Sequence, residues 1–162
     1  MGKRPKKQIK TGWLVVALLV VIAGGVIFMG AVSGWFGSKK VTLDAEYYAD
    51  GAEYMELSAD EYEGLVTNKK SFVVMVDQNG CTTADTMREY VTRYMTETGI
   101  KVYRMMFEDL KDTTLHDVVK YYPSVVIVDK GRAVGYLRAD SDEDAGAYNS
   151  YDEFKKWMEK YL

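Results

Sequence analysis

A mixed α/β sheet with helices on both faces, preceded by one N-terminal transmembrane helix, is the fold class this sequence predicts. Three observations lead there. Two short runs, Ser71–Asp77 and Val125–Val128, are apolar almost without interruption, the pattern of strands buried on both faces. Segments with apolar residues at helical spacing separate and follow these runs. An uncharged apolar stretch near the N-terminus is unlike anything later in the chain.

That stretch is the simplest to read. Between Lys10 and Lys39 there is no Asp, Glu, Lys or Arg, and Trp13–Phe36 is almost wholly apolar. About 20 apolar residues cross a hydrocarbon core roughly 30 Å thick, so residues 13–36 suffice with some tilt. Trp13 at one end and Trp35 and Phe36 at the other suit the two interfaces. A cleaved signal peptide is the alternative, since Ala31-Val32-Ser33 offers a small-residue cleavage site after a basic start. Against it, the apolar run exceeds the roughly 7–15 residues of a signal core, and no lipid-attachment cysteine follows. Lys3, Arg4, Lys6, Lys7 and Lys10 precede the span, whereas only Lys39 and Lys40 follow closely. Positive residues stay inside, so residues 1–12 are expected as a cytoplasmic tail and the C-terminal domain on the extracytoplasmic side of the cell membrane. Gly30 and Gly34 form a small-xxx-small pair, which suggests no more than a weak homodimer because glycine is common in such spans.

Residues 37–53 read as an acidic juxtamembrane linker, and residues 54–162 as the folded domain. Tyr54–Leu57 is a short strand, and Ser58-Ala-Asp-Glu61 has the capping-box pattern that opens a helix running to about Thr67. The buried strand Ser71–Asp77 breaks at Gln78-Asn-Gly80. Met87, Tyr90, Val91, Tyr94 and Met95 then recur at helical spacing, and Gly99 stops that helix. Lys101–Phe107 is rich in strand formers, and Thr113–Tyr121 reads as a short helix with Leu115, Val118 and Val119 on one side. Val125–Val128 is the second buried strand, and Ala133–Leu137 returns from the turn Asp129–Arg132 as its hairpin partner. Residues 139–149 read as an acidic loop. Ser150–Glu153 repeats the capping-box pattern, and Phe154, Trp157, Met158 and Tyr161 form the apolar face of the last helix.

Composition removes several function classes. Residues 41–162 hold 14 Lys/Arg against 24 Asp/Glu, a net charge of −10. Such a domain lacks the basic surface that nucleic acid requires, and its net charge also opposes adhesion to anionic lipid. One cysteine, Cys81, and one histidine, His116, rule out an intrachain disulfide framework and any Cys/His-rich metal site. No cofactor signature is present. Asp140, Asp142 and Asp144 have the spacing that opens a calcium loop, but Ala145 stands where that loop needs glycine and Tyr151 where it closes on glutamate. An acidic solvated loop is the reading there, and an exposed helical side chain is the reading for His116.

From Tyr54 onward the chain resembles the thioredoxin family. The buried strand Ser71–Asp77 runs through a short loop into Cys81 at the start of the long helix, and a single Pro123 precedes a hydrophobic strand. That strand returns as a hairpin closed by an amphipathic helix. The resemblance implies a cis Pro123 beside Cys81, and a groove at Tyr122, Pro123, Thr82 and Thr83 that holds an extended partner. The departures are equally informative. Ala84 stands where the family has its second cysteine, Gly80 where it has tryptophan, and Met75 where thioredoxins proper keep a buried acid.

Without a second thiol the chain cannot turn over as a dithiol oxidoreductase, because release of a mixed disulfide needs one. Three readings remain. Cys81, the candidate nucleophile, forms mixed disulfides with a protein or small thiol that an outside thiol resolves. Alternatively, the domain is a non-catalytic module that binds a protein or peptide beside Pro123. In the third, Cys81 is a structural remnant and the function lies elsewhere. Thr82 and Thr83 are expected to cap the helix or to donate hydroxyl hydrogen bonds near the thiol.

Overall fold

The apolar run ending at Asp77 forms the middle of the sheet. In the computed structural model, which describes residues 40–48 and 53–162, strand β2 (Phe72–Asp77) is buried along its whole length. It lies between a parallel neighbour, β3 (Val102–Met106), and an antiparallel one, β4 (Ser124–Asp129). The short β1 (Tyr54–Glu56) extends the sheet beyond β3 in parallel, and β5 (Arg132–Tyr136) pairs antiparallel with β4. The order is β1-β3-β2-β4-β5. Strands on either side cover its edges and helices cover its two faces, which is why its sequence does not alternate.

Helices cover both faces. Ser58 accepts a hydrogen bond from the Glu61 N–H and Glu61 reaches back to the Ser58 N–H, so the expected capping box opens α1 (Ala59–Thr67). Tyr62 of this helix meets Phe72 edge-on at 5.9 Å, and Tyr103 meets Phe72 from β3 at 5.7 Å. On the other face, α2 (Thr82–Thr98) and the last helix, α4 (Tyr151–Tyr161), pack through Tyr90 and Tyr94 against Phe154. Gly99 ends α2 in the left-handed conformation at φ 70°, which only glycine adopts without penalty. Phe72, Met75, Met105, Ile127 and Phe154 are fully enclosed. Burying each such side chain is worth about 1.5–3 kcal/mol.

Several expectations need correction. The segment expected as a linker is in part core: Val41, Leu43 and Tyr47 are buried, and the Val41 N–H donates to the Tyr161 carbonyl at 2.7 Å. Tyr47 extends the ring cluster by meeting Tyr103 at 5.9 Å, and Tyr48 bridges Ile100. Three apolar residues spaced among polar ones were enough to dock this segment. Of the helix expected over Thr113–Tyr121 only the 3-10 turn Thr114–Asp117 forms, and a second 3-10 turn, Phe107–Asp112, precedes it. Thr113 divides them: its hydroxyl donates to the Leu110 carbonyl at the end of the first and caps the second by accepting from the Leu115 N–H. The acidic loop contains a short helix, α3 (Ala145–Asn149), which buries Ala147. The start of that loop folds on itself, with Arg138 bound to Asp144 and Glu143 at 3.0 Å each. The basic tail, the apolar segment 13–36 and the Gly30/Gly34 pair lie outside the described residues. Among the described residues no helix is long and apolar enough to cross a membrane.

Candidate functional site

Two chain segments leave the sheet at the same edge, and between them they carry all five residues the sequence singled out. The register pairs Val76 of β2 with Ser124 of β4. The loop that follows β2 and the turn that precedes β4 therefore lie side by side. The first segment leads through Gln78, Asn79 and Gly80 to Cys81, and the second holds Tyr122 and Pro123. The Tyr122–Pro123 peptide bond is cis, as the resemblance implies.

Cys81 occupies the N-cap of α2 in an extended conformation, φ −101° and ψ 116°, and is half-buried. Its carbonyl accepts the first helical bond, from the Asp85 N–H at 3.1 Å. The N–H groups of the first turn consequently have no intrahelical acceptor and point toward whatever sits at the cap. Thr82 and Thr83 do not cap the helix. Both are exposed first-turn residues, and the cap has no side-chain hydrogen bond. Ala84, at the second-cysteine position, is fully buried.

The loop before Cys81 is held by an acid that the sequence reading placed only at the end of a strand, near but not at the position of the family's buried acid. Asp77, the last residue of β2, is completely buried and ion-paired to two arginines. Arg88, one helical turn beyond Ala84, bonds both Asp77 and Asp85. Arg104 from β3 donates through Nε to both Asp77 oxygens at 3.1 and 3.2 Å, and through Nη2 to the Asn79 side chain at 3.0 Å. The arginines compensate the desolvation of the carboxylate, which unpaired would be prohibitive. An acid closing an otherwise apolar run was the available signal, because such a residue enters a core only with a cation. Beside it, Tyr54 donates to the Arg88 carbonyl at 3.1 Å and contacts the Met75 sulfur. Burial pushes the Tyr54 phenol up to about 12.

The second segment is pinned through its proline and open at the residue before it. Pro123 is buried, and its carbonyl accepts from the Tyr148 hydroxyl at 2.8 Å. Tyr148 also reaches the Leu137 carbonyl at 3.1 Å, and burial raises its pKa far above the tyrosine norm. Ser124 donates to the Tyr121 carbonyl at 2.8 Å. Tyr122 has neither backbone group hydrogen-bonded among the described residues, and its ring meets that of Phe107 at 4.7 Å, tilted by 54°. Tyr121 and Tyr122 are 50% and 38% exposed. His116 is exposed, as expected, and lines a surface cleft with Phe107, Lys111 and Lys120. Among the described residues no group of three or more metal-ligating side chains occurs.

This geometry has clear relatives among solved structures. A thioredoxin from Schistosoma mansoni superposes with a TM-score of 0.52 at 15% identity, covering 70% of this chain and 100% of that one. A thioredoxin from Nicotiana alata gives 0.51 at 14%, covering 70% and 96%, and thioredoxin O2 from Arabidopsis thaliana 0.51 at 12%, covering 68% and 96%. The fold is thioredoxin-like. At such identities the likeness speaks to the fold alone. No protein-family model matches the chain, and no curated protein matches it. Within this fold, Cys81 stands at the head of the long helix and the cis proline at the head of β4.

Proposed function

We propose that this chain is a membrane-anchored, extracytoplasmic thioredoxin-like protein whose Cys81 exchanges disulfides one thiol at a time. The observation that carries this reading is the pairing of a half-buried, unbonded thiol at a helix N-cap with a cis proline across the same sheet edge. In the exchange, the Cys81 thiolate attacks one sulfur of a partner disulfide. A new S–S bond forms to Cys81 Sγ, the partner's S–S bond breaks, and its other sulfur leaves as a thiolate. A second thiolate, from a small thiol or another protein, then attacks the mixed disulfide and frees Cys81. Ala84 makes that external thiol obligatory.

Tyr122 favours a second reading, a non-catalytic module that binds a protein or peptide. Its free N–H and C=O and the exposed rings of Tyr121 and Tyr122 offer an extended chain both hydrogen bonds and apolar contact. One experiment separates the two. The alkylation rate of Cys81 is followed against pH in the folded chain and in denaturant. A folded-state rate that titrates clearly below about 8.5 supports exchange chemistry. A thiol that reacts only after unfolding removes it and leaves the binding module. Protease protection of the C-terminal domain in sealed vesicles tests the proposed topology.

A further inference from the structure

The strands distribute charge unequally between the two ends of the sheet. β1, β2 and β3 run parallel and β4 runs against them, so the segment from Phe107 to Pro123 leaves and re-enters the sheet at the end that carries Cys81. β5 runs against β4, and its exit at Leu137 lies at that end too. Residues 107–123 and 137–144 together hold eight Asp/Glu against three Lys/Arg, and residues 78–81 are uncharged. At the other end, residues 68–71, 99–101 and 129–132 hold five Lys/Arg against Asp129, with Asp44 and Glu46 joining them at Lys70. Two contacts bring the acidic segments to the proline. Phe107 meets Tyr122 at 4.7 Å, and the Tyr148 hydroxyl ties the Pro123 carbonyl to that of Leu137 at 2.8 and 3.1 Å. Tyr122 and Pro123 therefore sit between the start of the 3-10 turn Phe107–Asp112 and the start of the 138–144 loop.

The arginines at this end are already engaged. Arg88 and Arg104 answer Asp77, Asp85 and Glu56, and Arg138 answers Glu143 and Asp144. Glu108, Asp109, Asp112, Asp140 and Asp142 enter no ion pair among the described residues. Lys111 and Lys120, which flank His116 in its cleft, offset two of these charges at most, and Lys120 already donates Nζ to the His116 carbonyl at 2.8 Å. Tyr121 and Tyr122 add exposed ring faces, which attract lysine and arginine. The edge thus offers an incoming chain unpaired carboxylates and aromatic faces together.

We infer that the Cys81–Pro123 edge takes a cationic partner: an extended peptide segment whose cysteine is flanked by lysine or arginine, in preference to an anionic small thiol. This preference rests on the exchange proposed above and sets the class of disulfide that enters it. The carboxylates on either side of Tyr122 and Pro123 draw cationic side chains in and repel a thiol that carries a carboxylate. The exposed rings receive the same cations. A surface of one sign of charge changes association rates by about 10–10³-fold, and the effect falls steeply with salt.

The test uses the full chain in non-ionic detergent, whose sole cysteine is Cys81, and two pyridyl-disulfide peptides. They differ only in flanking their cysteine with two lysines or with two glutamates. The Cys81 thiolate attacks the peptide sulfur, the peptide–pyridyl S–S bond breaks, and the released pyridine-2-thione is read by its absorbance. At low salt the lysine-flanked peptide is expected to react on the order of tenfold faster. That preference is expected to shrink toward its value in denaturant as salt approaches about 1 M. The Glu108→Gln/Asp109→Asn/Asp140→Asn/Asp142→Asn variant is expected to lose most of it, whereas Lys130→Gln/Arg132→Gln at the far end is expected to keep it. Equal rates for the two peptides overturn the inference, as does faster reaction of the glutamate-flanked one. A preference that moves as much with the far-end variant follows net charge rather than this edge and also overturns it. These outcomes leave the exchange reading standing. If neither peptide reacts with the folded chain and both react in denaturant, the exchange itself is overturned and the preference with it.

Discussion

Replacing Asp77 by asparagine keeps the shape of the side chain and removes the charge that Arg88 and Arg104 share. The carboxylate is completely buried, and the two arginine side chains are 24% and 19% exposed. Removing one partner of a buried ion pair costs about 3–5 kcal/mol because the other charge is left uncompensated. Here both arginines keep some access to water, which places the loss near the lower end, about 3 kcal/mol. For a domain of this size that corresponds to a fall in Tm of roughly 10–15 °C. Thermal and urea unfolding of the full chain in mild detergent, read by near-UV circular dichroism, measures it. A double-mutant cycle with Arg104→Gln is expected to show coupling of at least about 1 kcal/mol, as the two groups are in direct contact. Arg104 also holds Asn79, two residues before Cys81. The same variant is therefore expected to change the folded-state alkylation rate of Cys81. A loss below about 1 kcal/mol with no coupling would refute the claim that this network holds the loop.

Other perturbations probe separate parts of the same account. Ala84→Cys restores a second thiol one helical turn from Cys81 and is expected to form an intrachain disulfide that releases a trapped mixed-disulfide partner, read by mass spectrometry. Gly131→Ala combines φ +75° with a Cβ 2.4 Å from the Val66 carbonyl oxygen, and a loss of about 2 kcal/mol or more is expected in urea unfolding. Phe154→Ala, at a fully buried position between Tyr90 and Tyr94, is expected to cost about 3–5 kcal/mol by the same assay. Glu97 is held down to about 2 by its hydrogen bond to Lys155, at 2.7 Å, with help from Arg93. A carboxyl with a depressed folded-state pKa stabilises above its unfolded value near 4.3 and loses that stabilisation as pH falls toward 2. Glu97→Gln is therefore expected to be less stable than the parent at neutral pH, with the difference vanishing across that acid window.

Much of the fold was legible because burial on both faces writes itself as an uninterrupted apolar run. Phe72–Asp77 and Ser124–Asp129 are central strands for that reason, and Gly99 and Ser58 terminate helices through local chemistry that needs no tertiary context. The candidate site was legible only through resemblance, since one cysteine and one proline 42 residues apart in sequence carry no pattern of their own. The misses share a physical origin. The helix that begins at Thr113 closes only the single turn Thr114–Asp117, and Val41, Leu43 and Tyr47 joined the core with too few apolar neighbours to show a period. Asp77 was read as the end of a strand rather than as a buried charge, because its partners arrive from α2 and from β3, eleven and 27 residues away.

The hydrogen bond from Val41 to Tyr161 also has a mechanical meaning. Tension on the N-terminal segment enters the domain there, at a single backbone bond beside the C-terminal helix. Behind it, in series, stand the buried side chains of Leu43 and Tyr47 and the clasp of Lys70 on Asp44 and Glu46. A pull on Val41 would meet these contacts one after another before it reached β1 at Tyr54. Residues 41–48 can therefore yield to a pull on Val41 before the sheet does.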